Sequence, residues 1–129
     1  MSHFYSNHRK HEVAQVGNYT VPGDLDINGF EADRPGYTRD DNFRLDRVDA
    51  AHALVKTALQ RDTAYHPKGM GAAWIKSRVE ERLGYFITDG EFIMAMIGAG
   101  FKYQRSEKHC LFYIRPDSIS FLRKENRPN

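Results

Sequence analysis

One cysteine among 129 residues rules out an intramolecular disulfide, and with it the stapled frameworks of small secreted domains. Cys110 stands in the apolar run "CLFYI" and reads as a small core residue rather than a reactive thiol. No uninterrupted apolar stretch approaches the roughly 18 residues that span a bilayer. The N-terminal "MSHFYSNHRKHE" is polar where a signal peptide carries its apolar stretch. The chain is therefore expected in the cytoplasm, with no membrane partner. A glycine-rich phosphate loop is missing, because "GAGF" closes a helix instead of opening one after a strand. Carboxylates occur as adjacent pairs, Asp40 with Asp41 and Glu80 with Glu81, whose side chains diverge, so no two acids face each other across a cleft. The chain is accordingly read as a non-enzyme without a cofactor or a metal.

What is present is ordinary for a single soluble domain: 40% apolar, 12% aromatic and 28% charged residues, too apolar for wholesale disorder. Net charge is only +2, but it is unevenly spread. Residues 1–42 hold four Lys/Arg against seven Asp/Glu, a balance of −3; residues 43–129 hold fifteen against ten, a balance of +5. A modest positive excess in the C-terminal part is compatible with binding phosphate.

Residues 1–42 mix Gly, Pro, Asn and Asp with isolated apolar residues and sustain neither period, so they read as an irregular N-terminal arm. Short extended pieces near Tyr19 to Val21 have no evident partner. From Phe43 the pattern changes. Leu45, Val48, His52, Val55 and Leu59 form a stripe, widened by Ala51, Leu54 and Ala58, which predicts an amphipathic helix capped by Asp41 or Asn42. Pro67, Gly69 and Gly71 then forbid helix. A second helix fits "AAWIKSRVEERLG", with Ile75, Val79 and Leu83 at four-residue steps and Gly84 as its stop. The third opens with a capping box, Thr88 with Glu91, and closes at Gly100, with Phe101 folding back on Met96 or Ile97. From Phe101 the period is two. Tyr103 and Arg105 follow it on one strand, "SEKH" turns, and Cys110, Phe112 and Ile114 alternate until Pro116, predicting a hairpin. Residues 117–129 form a basic tail.

Three helices and a hairpin make the expected architecture mainly α with a small β-hairpin. The stretch "WIKSRVEERLGYFITDGEFIMAMIGAGFKYQRSEKHCLFYIR" resembles the winged helix-turn-helix modules of small bacterial and phage-associated proteins, and the likeness extends over residues 44–115. It implies a winged-helix domain over 43–116, with the third helix entering the DNA major groove and the wing touching the neighbouring backbone. A helical wheel puts Phe92, Ile93, Met96, Ile97 and Gly100 on one side of that helix, with Glu91, Met94, Ala95 and Gly98 opposite. The second face offers no Arg, Lys, Asn or Gln to read bases. Cations are found elsewhere. Arg78 and Arg82 lie one turn apart on the second helix, and Lys102, Gln104, Arg105 and Lys108 lie on the wing, with Arg123, Lys124 and Arg127 in the tail.

Two functions follow as expectations. The first is a nucleic-acid binder, gripping the backbone of duplex DNA through Arg78, Arg82, Lys102, Gln104, Arg105 and Lys108, in regulation or in a phage or mobile element. The second is a protein-interaction module, a phage-type inhibitor or assembly partner, that uses Met94, Ala95 and Gly98 as a small-residue docking face. A homodimer is left open. Other signals are weaker. "DLDINGFEADRP" starts like a calcium loop with Asp24, Asp26 and Asn28, but position twelve is Pro35 instead of Glu, so it reads as an Asx-rich turn. His3, His8 and His11 are too few for a structural zinc site. His52 reads as a core or boundary histidine, His109 points away from Cys110, and Trp74 reads as a core anchor.

Overall fold

The computed structural model describes residues 12–31, 35–60, 72–106, 109–115 and Ser118. Among these, two short antiparallel hairpins bracket three helices in chain order. The elements are β1 (Val13–Val16), β2 (Tyr19–Pro22), α1 (Leu45–Ala58), α2 (Ala72–Leu83), α3 (Asp89–Gly98), β3 (Tyr103–Ser106) and β4 (His109–Phe112).

The third helix occupies the centre. It packs on α1, α2 and β2, while α2 also packs on β4. Every residue from Gly90 to Met96 is buried, because this helix is apolar nearly all round and has no side that prefers water. Its ends form as their residues dictate. Thr88 Oγ1 accepts from the Glu91 amide at 3.1 Å while the Glu91 carboxylate accepts from the Thr88 amide at 2.9 Å, satisfying two amides that a helix start otherwise leaves open. At the other end Gly100 takes φ +90°. Its amide donates to the Ile97 carbonyl, and that of Phe101 to the Met96 carbonyl, the paired bonds of a Schellman close that a left-handed residue permits.

α1 and α2 bury one stripe each: Val48, Ala51 and Val55 on α1, Ile75 and Val79 on α2. The cap of α1 is Arg44, whose side chain makes no capping bond to the helix start, so the expectation of Asp41 or Asn42 is corrected. The reason is tertiary. The Arg44 amide donates at 2.7 Å to Glu91 from another helix. The last two strands pair as Tyr103↔Phe112, Gln104↔Leu111, Arg105↔Cys110 and Ser106↔His109. Alternation sends Phe101, Cys110, Phe112 and Ile114 into the core.

The stretch read as a separate arm differs most from expectation. Residues 13–22 form a hairpin with Val13 opposite Pro22 and Val16 opposite Tyr19, and Tyr19, Val21, Leu25 and Phe30 join the one core cluster. Asp26, fully buried, accepts from the Asn28 amide at 2.9 Å, the Tyr37 hydroxyl at 2.6 Å and the Asp40 amide at 3.1 Å. The acidic loop is thus an Asx turn whose carboxylate organises backbone. The α3 start presses against it. The Gly90 amide donates to Ile27 O, and a Cβ at Gly90 would sit 1.8 Å from Asp26 O, so only glycine fits there.

Candidate nucleic-acid interface

Because α3 is enclosed, polar chemistry lies around it. Glu91, like Asp24 and Asp26, is fully buried. Its carboxylate receives the Arg44 guanidinium at 2.7 and 3.0 Å, the Arg44 amide and the Thr88 amide. Burial raises its pKa, but those donors outweigh burial and hold it below the usual carboxylate value, because each hydrogen bond favours the ionised form. Asp24 grips Arg105 bidentately at 2.5 and 3.2 Å. The Arg105 guanidinium carbon also lies 3.7 Å from the Phe30 ring centre.

Arg105 therefore ties the terminal hairpin to the acidic loop that follows β2 and is not a freely outward cation, in contrast to its expected role. Strand alternation explains this: Arg105 shares the inner face with Tyr103, whose ring lies 6.0 Å from that of Phe112, whereas Lys102 and Gln104 are exposed on the other face. Lys108, His3, His8, His11 and the tail cations lie outside the described residues.

On α2, Arg78 donates to Glu81 at 2.7 Å and its guanidinium carbon lies 5.8 Å from the centre of the Trp74 ring. Arg82, in the last turn, is half-buried. Trp74 itself is 42% exposed. The core-anchor reading is corrected, since one step before Ile75 on a helix turns a side chain about 100° away from the buried stripe. Immediately after α2 come two more exposed rings, Tyr85 and Phe86. Arg47 of α1 lies 4.7 Å from the Tyr85 ring centre and donates to Phe86 O, and Lys76 lies 4.7 Å from the Phe86 ring centre. The aromatic turn was missed in the sequence, although "GYF" following a helix-stopping glycine was the available signal.

The protein-docking face on α3 does not exist in the expected form. Met94 and Ala95 have no exposed surface. Gly98 is open to solvent, yet a Cβ there would lie 2.6 Å from the Tyr19 ring. The wheel failed because it assigned one side of α3 to water, whereas α1, α2 and β2 cover it.

The Cys110 thiol is buried and pushed up to about 12, chiefly by that burial. Among the described residues no group of three or more His, Cys, Asp or Glu is placed to hold a metal ion, and no helix is long and apolar enough to cross a membrane. Compared with protein-family models, curated proteins and solved structures, the chain matches none.

Proposed function

We propose that this chain is a small nucleic-acid-binding protein of the winged helix-turn-helix type that grips phosphate backbone through α2 and the outward face of its terminal hairpin. The observation that carries this reading is the contact between α2 and β4. It makes neighbours of the helix bearing Arg78 and Arg82 and the hairpin bearing Lys102 and Gln104, in the part of the chain whose charge balance is +5. Backbone contacts position a protein without reading sequence, and they weaken steeply with salt. The enclosure of α3 argues against base reading by that helix, so recognition is of charge and shape rather than of sequence. A regulatory role, or one in a phage or mobile element, suits such a small binder.

The experiment is a binding titration of the full chain at two salt concentrations, with random-sequence nucleic acid. Reversing Lys102 and Lys108 to Glu should weaken binding uniformly across sequences and flatten the salt slope by about one for each phosphate that is no longer neutralised. Arg105 is left intact because it holds the fold. Salt-independent affinity, or reversal without effect, would count against the reading.

A further inference from the structure

Three of the four large apolar side chains exposed among the described residues, Trp74, Tyr85 and Phe86, lie on α2 or directly after it; Val13 is the fourth. Each ring has a cation beside it: Arg78 at 5.8 Å, Arg47 at 4.7 Å and Lys76 at 4.7 Å. Separate rings interleaved with cations differ from the contiguous apolar patch that a protein partner covers. Trp74 with Arg78, one turn apart on α2, matches the needs of an unpaired base, which stacks on an aromatic face while the flanking phosphate takes the charge. A duplex hides its base faces and is read by an element inserted in a groove. The element expected for that task, α3, is enclosed from Gly90 to Met96.

We propose that the α2 surface takes single-stranded nucleic acid, with Trp74 as the platform on which a base stacks and Arg78 contacting the adjoining phosphate. This rests on the nucleic-acid reading above and adds the strand state. The Arg78–Glu81 pair does not obstruct it. Both side chains are partly exposed, at 26% and 51%, so the pair contributes little and a phosphate can replace Glu81.

Trp74 is the chain's one tryptophan, so its emission reports this site alone. The full-length protein is titrated with oligo(dT), oligo(rU) and duplex DNA of about 16 nucleotides, the upper end of single-strand site sizes. Single strands should quench Trp74 and bind about tenfold or more tightly than duplex, the effect of one stacked base. The dT and rU arms show which sugar is preferred. Trp74→Ala should weaken single-strand binding about 5- to 150-fold, and Trp74→Phe, which keeps a ring, should recover part of it. If Trp74→Ala fails to fold, quenching of the unaltered protein decides. Duplex bound as tightly as single strand, or binding of any kind that leaves Trp74 emission unmoved, overturns this inference while the nucleic-acid reading stands. No binding to any of the three removes both and leaves the rings to a protein partner.

Discussion

Helices α2 and α3 are consecutive, about equal in length and joined by a short aromatic turn, yet they have opposite relations to water. The third has seven buried residues in a row and no Lys or Arg; the second buries only Ile75 and Val79 fully and carries Lys76, Arg78, Glu80, Glu81 and Arg82. The difference is one of load. A helix with apolar side chains on every face is stable only when enclosed, and enclosing it obliges its neighbours to supply the solvent-facing surface. The proposed binding is therefore assigned to the helix that is less well buried, although the resemblance read from the sequence points to its neighbour.

The contrast can be broken by placing the same charge on each helix. Ala95→Arg puts an unpaired guanidinium where no surface is exposed and should destabilise by more than about 4 kcal/mol, abolishing the cooperative denaturant transition. Ser77→Arg, on the exposed side of α2, should shift stability by no more than about 0.5 kcal/mol. Equal tolerance at both positions would dissolve the comparison.

A smaller effect is expected at Glu91, whose loss strands the amides of Arg44 and Thr88 and the Arg44 guanidinium. Because the Arg44 side chain is 38% exposed, water recovers part of the loss, and Glu91→Ala should cost about 2–3 kcal/mol in chemical unfolding. The same carboxyl sets an acid limit. Its folded pKa lies below the ordinary 4.5, so its stabilisation is complete above that pH and is lost as pH falls through the lower, folded value. Melting temperature should drop below about pH 4.5, and Glu91→Gln should flatten that drop; identical pH profiles would show that Glu91 is not the group responsible.

Small effects are expected at the exposed rings as well. Phe86→Ala and Trp74→Ala should each change stability by less than about 1 kcal/mol, which keeps them usable as binding probes. Cys110 sharpens the opposite side of the contrast. With its thiol raised to about 12 by burial, it should resist a thiol reagent at neutral pH until the protein unfolds. Rapid labelling of the native protein would contradict its place in the core.

The local devices were legible in the sequence: the Thr88–Glu91 box, the Gly100 close, the stop at Gly84 and the two-residue period of the last strands all depend on neighbours within a few positions. The rest depends on partners far along the chain. Asp24 and Arg105 are 81 residues apart, and nothing local distinguishes Arg105 from Lys102 as an outward cation. The first hairpin was harder to read for another reason: β1 alternates exposed and half-buried positions and buries no residue fully, so its apolar residues mark no inner face. For α3 the wheel gave the correct angles but the wrong environment, and the absence of basic residues along it was the better guide. Trp74 erred in the other direction, since its size suggested burial while its angle on α2 directed it outward.

Under the proposed function, ligand contact belongs to α2 and the terminal hairpin while α3 serves only as core. Mapping amide and indole NMR shifts during addition of oligo(dT) tests this directly. The Trp74 indole, Arg78, Lys102 and Gln104 should respond while Phe92 to Met96 stay in place. Shifts concentrated in residues 89–98, with α2 silent, would contradict it.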